Sequence, residues 1–104
     1  MTNKSNMLRQ AQALQRKLAK AQSELAEIEV SGSAGGGMVI AVVTGAGEFR
    51  RITIKPEAVD PDDLEMLADI IVAACNEALR KSKELENARV GELAPGLGLP
   101  PGLL

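Results

Sequence analysis

Lys4, Arg9, Arg16, Lys17 and Lys20 are the only charged residues among the first 23, while the other 81 carry seven basic and fourteen acidic side chains. Ammonium and guanidinium groups with no acids among them can hold phosphate oxygens as charge-assisted donors. The whole chain has a formal net charge of -2, which taken alone argues against a polyanionic partner. Binding, however, follows the local field, and a segregated positive segment can dock on phosphate whatever the total charge.

Other chemistries lack their parts. The chain has no histidine and a single cysteine, Cys75, so nucleophilic and metal-assisted catalysis have no usual constellation and an internal disulfide is impossible. Gly32 and Gly37 have the spacing of a phosphate-cradling loop, but Met38 and Val39 stand where that loop needs Lys followed by Ser or Thr. Gly45 and Gly47 precede Arg50 where a dinucleotide-binding turn wants Gly or Ala, so both clusters read as strand turns. Asp60, Asp62, Asp63 and Glu65 suggest a cation site only until they are seen to sit at a helix start, where carboxylates cap backbone N–H groups. Cys75, inside the apolar stretch Ile70 to Leu79, reads as a small core residue. The expectation is a binding protein with no reaction, cofactor or metal. Phe49 is the sole aromatic, which argues against recognition of unpaired bases by stacking on aromatic faces. The start of the chain shows no cleavable apolar leader, and the apolar run Met38 to Val43 is far short of the roughly 20 residues of a membrane helix. A soluble intracellular protein is expected.

The elements that carry the basic residues follow from periodicity. Met7, Ala11, Leu14, Leu18, Ala21 and Leu25 recur at steps of four and three, predicting a helix from Asn6 to about Ala26, some 30 Å long. Glu27 to Ser31 alternates as a short strand, Gly32 to Gly37 is a turn, Met38 to Thr44 is a β-branched strand, and Gly45 to Glu48 is a second turn. Phe49 to Lys55 then alternates again, with Ile52 and Ile54 expected to face the core. Together these make a three-stranded antiparallel meander. Asp60 as N-cap and Pro61 at the first helical position predict a second long helix from Pro61 to about Arg89, ended by Gly91. Its apolar positions are Leu64, Leu67, Ile71, Ala74, Ala78 and Leu85, and Arg80, Lys81, Lys83 and Arg89 gather toward its negative end. Residues 1–90 thus form one α+β domain, and 91–104, rich in Gly, Pro and Leu, form an irregular tail.

At about 100° per residue, Arg9, Arg16 and Lys20 fall within about 40° of one another on the first helix, opposite Leu14, Leu18 and Leu25. Lys17 flanks this stripe. One reading is an ordinary solvated face, but such faces mix signs and use Glu-to-Lys pairs, and no acid precedes Glu24. A membrane-surface helix is a third reading, weakened by a narrow apolar face without Trp or Phe.

Several strings, in order, give the chain a family likeness. They are Met7-Leu8-Arg9-Gln10-Ala11-Gln12 followed by Leu14-Gln15, the Gly-rich turn into Met38-Val39-Ile40-Ala41-Val42, Gly45-Ala46-Gly47-Glu48, Ile52-Thr53-Ile54-Lys55-Pro56, and Leu99-Pro100-Pro101-Gly102. Over nearly its whole length the chain resembles the YbaB/EbfC nucleoid-associated proteins. The resemblance implies an α+β subunit in a homodimer whose helices project like tweezers. It also implies double-stranded DNA binding of low or moderate sequence specificity in the bacterial nucleoid and cytoplasm, with organising and sometimes gene-regulatory roles. Carried onto this sequence by region, it makes Arg9, Arg16, Lys17 and Lys20 the phosphate contacts, with Lys4 beside them and Arg80, Lys81 and Lys83 as secondary candidates.

A homodimer also follows from a physical argument, because two apolar-striped helices and a thin sheet with two open edges leave more aliphatic surface than one subunit can cover. The alternative function is a helical interaction module whose leucine-rich tail recruits a protein of DNA replication or repair, with weak or no DNA contact.

Overall fold

The computed structural model describes residues 3–93. Helix α1 (Asn3–Leu25) leads into strands β1 (Glu29–Ala34), β2 (Val39–Thr44) and β3 (Phe49–Ile54). A short 3-10 turn at Pro56–Ala58 follows, and helix α2 (Leu64–Gly91) completes the described chain. The α+β class and the helix, meander, helix order are as the sequence predicts.

The strands form an antiparallel sheet in the order β1-β2-β3, with Glu29 opposite Thr44 and Ala34 opposite Val39 in the first pair, and Val39 opposite Ile54 in the second. Gly35, Gly36 and Gly37 all take positive φ between β1 and β2, a conformation that L side chains resist. Gly32, expected in that turn, lies inside β1 instead, and the reason is packing. A Cβ there would strike the Ala78 backbone and stand 2.5 Å from the Ala74 carbonyl oxygen, so strand and helix touch backbone to backbone.

Around that contact, Val39, Ala41 and Val43 bury against Ala74 and Ala78, with Val30, Ala34, Leu67, Ile70, Ile71 and Cys75 packed at the margin. The small residues of α2 bring the helix close enough for Val39 and Val43 of β2 to lose all their exposure. Farther along, buried Ser82 donates its hydroxyl to the Thr44 carbonyl at 2.8 Å, and Thr44 Oγ1 accepts the N–H groups of Ala46 and Glu48 at 3.2 Å each. Polar groups at the end of the core are thereby satisfied, as burial requires.

Four expectations are corrected. Helix α2 starts at Leu64 rather than Pro61, because Asp63 is the true N-cap and accepts the Met66 N–H at 3.1 Å. Asp60 instead closes the preceding turn, its carboxylate accepting the Asp62 N–H at 2.9 Å. Ile52 and Ile54 do not enter the core of this subunit; they are 43% and 38% exposed. Their register partners Ala41 and Val39 are fully buried, so they point to the core side of the sheet, but α2 lies over β1 and β2 and leaves β3 uncovered. Leu64 is likewise 59% exposed, standing at the first residue of α2, before the stretch that reaches the sheet. Gly91 is the last residue of α2 rather than its terminator. The irregular tail expected over 91–104 lies, from Ala94 onward, outside the described residues.

Candidate nucleic-acid interface

The arm is α1. It has no Gly or Pro and is rich in Ala, Leu, Gln, Lys and Arg, all favourable helix formers. Only its base is tied down. Leu25 is fully buried, and a Cβ at Gly45 would come within 2.9 Å of Leu25 Cδ2 and 3.1 Å of Leu85 Cδ2, so a glycine is needed where helix end, turn and α2 converge. From β3, the Arg50 guanidinium donates to the Ala26 carbonyl at 3.1 Å, setting a cation at the negative end of the helix. Arg50 carries no signal in the sequence, since its partner lies 24 residues away.

Farther out, Ala13, Leu14, Leu18 and Ala21 are half-buried, whereas every residue from Asn3 to Gln12 is exposed. At about 1.5 Å per residue, α1 is roughly 34 Å long, close to one turn of duplex DNA. The molecule measures 73 × 23 × 16 Å with a radius of gyration of 19.6 Å, against about 13 Å for a compact chain of this size. The arm therefore projects.

All but one of its charges stand apart from acids. Among the described residues Lys4, Arg9, Arg16 and Lys17 make no ion pair, and Lys20 lies 3.9 Å from Glu24 in an exposed pair. Arg9, Arg16 and Lys20 share one exposed face. Lys4 falls on the opposite side at the tip, and Lys17 turns toward a cleft where α1 meets Arg89 of α2 and Glu92 just beyond it. Arg89 reaches Glu24 across this cleft at 3.8 Å.

The candidates on α2 stand differently. Arg80 pairs with Glu84 at 2.6 Å, Lys81 with Glu77 at 3.1 Å and Lys83 with Glu86 at 3.0 Å. The Lys81 ammonium, together with the Ser33 N–H that donates to the same carboxylate, holds Glu77 below the usual glutamate range. The two groups of cations thus differ: on the arm four stand bare and Lys20 has one loose pair, while those on α2 are each matched to a carboxylate. The acids Glu57, Asp60, Asp62, Asp63, Glu65 and Asp69 gather near the start of α2, at the end of the sheet where Gly35 meets Ile70 and away from the base of the arm.

No group of three or more His, Cys, Asp or Glu that could hold a metal occurs among the described residues, and none of the described helices is long and apolar enough to cross a membrane.

Residues 1–97 match the model of the YbaB/EbfC DNA-binding family. The chain belongs to that family. Among relatives of the YbaB/EbfC chain described here, a nucleoid-associated protein of Acetivibrio thermocellus is 52% identical over 97% of this chain and 89% of its own length. A nucleoid-associated protein of Bacillus cytotoxicus is 48% identical over 99% and 94%. In three dimensions an uncharacterized protein of Helicobacter pylori shares the YbaB/EbfC-like fold, with a TM-score of 0.77 over 86% of this chain and 94% of that one at 17% identity. The family is a DNA-binding one and not a family of enzymes.

Proposed function

We propose that the protein binds double-stranded DNA as a homodimer, through the phosphate backbone and with low or moderate sequence specificity, and thereby organises the bacterial nucleoid and affects gene expression. It acts by binding alone, in the cytoplasm where the nucleoid lies. The observation that carries this reading is the basic face of α1: cations of which only Lys20 has an acid beside it, on a helix that projects far beyond the core. Cations free of carboxylates release counterions from DNA, and that release supplies sequence-independent affinity. With only one aromatic in the chain, a duplex held by its backbone suits this surface better than unpaired bases.

Dimerisation is supported by the uncovered side of β3. Phe49, Ile52 and Ile54 are 47%, 43% and 38% exposed, and Val72 and Leu79 of α2 are 56% and 38% exposed. Leu79 lines a recess with Ala46 and Gly47 of the β2–β3 turn, and Val72 shares its helix face seven residues earlier. The result is an apolar patch flanked by a free sheet edge, which a two-fold copy would cover. Such a dimer presents the arm twice.

Fluorescence anisotropy on a random-sequence duplex at low salt tests the reading. Binding by the native protein and its loss when Arg9, Arg16, Lys17 and Lys20 are changed to Glu are expected. Undiminished binding by that variant would remove the arm from the mechanism, and a monomer in light scattering at micromolar concentration would remove the dimer.

A further inference from the structure

The phosphate reading leaves one side of the arm unused. On α1, Lys4, Met7, Leu8 and Ala11 lie within about 100° of one another, on the side away from Arg9, Arg16 and Lys20, and all four are exposed. Met7 is 66% and Leu8 60% exposed, the highest values among the large apolar side chains of the described residues. Toward the base the same side closes: Leu14 and Leu18 are half-buried, and Leu25 is buried. The tip therefore carries an apolar surface with nothing of its own subunit to pack on.

Charge decides what covers it. Lys4 lies between Met7 and Leu8 around the helix, and no acid precedes Glu24. A matching tip from a second copy would set Lys4 against its own equivalent in an apolar contact, where like charges repel most strongly. The surface calls for a partner that offers anionic and apolar groups within a few ångströms of each other. A DNA groove does so, with phosphates on its rims and stacked bases between, and Met and Leu are among the side chains able to wedge into a base step.

We propose that Met7 and Leu8 insert between base pairs while Lys4 and Arg9 hold the flanking phosphates, so that each arm kinks the duplex it binds. The proposal rests on the DNA-binding reading above and adds that binding deforms the DNA. Pyrimidine–purine steps, which unstack readily, would then be preferred over stiff A-tracts.

The test uses the full chain, two end-labelled duplexes that differ only in a central TA step or A-tract, and the M7A/L8A variant. Alanine is a better helix former than either residue, and both sites are exposed, so the fold is retained. Anisotropy gives affinity, and resonance energy transfer between the DNA ends gives bending. The native protein is expected to bend the duplex by roughly 20–90° and to bind the TA duplex more tightly. M7A/L8A is expected to keep its salt dependence but to lose the bend, with the ratio of the two dissociation constants falling to about one. Native protein that binds without bending, or a variant that bends as the native does, overturns the wedge and leaves the DNA-binding reading intact. A change in the sedimentation of the DNA-free protein on making M7A/L8A would assign the surface to a protein contact and also overturns the wedge. No binding by the native protein at low salt would overturn both.

Discussion

Two variants with the same net charge separate the bare arm from the paired helix. R9Q/R16Q/K20Q and R80Q/K81Q/K83Q each remove three positive charges, taking the chain from -2 to -5, so any effect of total charge is common to both. Gln retains helix propensity and length. If each arm cation neutralises one phosphate, the slope of log K against log salt loses about 0.9 per residue, or roughly 2.7 for one arm and about 5.4 for two. Between 50 and 200 mM salt the three cations of one arm thus account for about a 40-fold loss of affinity, and those of two arms for about 1,800-fold. The α2 triple should change the slope by less than about 1, because Glu84, Glu77 and Glu86 already sit 2.6, 3.1 and 3.0 Å from its cations. A carboxylate beside a cation both occupies its donors and repels an approaching phosphate. Anisotropy titrations of a random duplex at several salt concentrations measure both slopes. Equal slope changes in the two variants would refute the reasoning, since binding would then follow total charge and not the exposed stripe. A larger change in the α2 triple would move the interface to that helix.

Three further outcomes are expected. Gly32→Ala should destabilise the fold by about 3 kcal/mol or more, because backbone and not a flexible side chain blocks the added methyl; a thermal melt by circular dichroism should fall by on the order of 10–20 °C, and a shift of only a couple of degrees would mean that α2 can move aside. Ile52→Asp places a charge in the exposed β3 patch, so light scattering should shift from dimer to monomer while the helical circular dichroism is retained; an unchanged mass would put the interface elsewhere. Glu77, held below its usual range by Lys81 and the Ser33 N–H, favours the folded state above its unfolded pKa of about 4.3, and this contribution disappears as pH falls through the lower folded value. The melting temperature of the native protein should therefore drop more steeply than that of Glu77→Gln as acid is added through this range, and parallel curves would show that the carboxylate has no such role.

Local rules carried the reading of the elements. The three-and-four spacing of Met7 through Leu25 and the absence of Gly and Pro specify α1, the alternation around glycine turns specifies the meander, and the acid-free run from Lys4 to Lys20 marks the arm as basic. Each of these signals lies within a few residues of what it determines. The same locality explains the misplaced start of α2, where Asp60-Pro61 and Asp63 are both sound N-cap patterns. The choice fell to the turn that Asp60 makes with Asp62, through a side-chain bond to the Asp62 N–H at 2.9 Å.

The arm's charge and helicity, the strand order along the chain and the family likeness are determined by the sequence alone. Which cations are bare is equally local: the acids that pair with Arg80, Lys81 and Lys83 sit three or four residues along the same helix, whereas on the arm only Lys20 has such a neighbour, Glu24 at 3.9 Å. Tertiary structure decided that Ile52 and Ile54, which alternate as core residues do, remain uncovered, because α2 is held over β1 and β2 by the contact at Gly32. Which face a strand buries follows from its pleat, but whether anything lies over that face depends on a helix that begins ten residues after β3 ends. That placement is set by backbone contact between β1 and α2, groups more than 40 residues apart, and no local pattern encodes it.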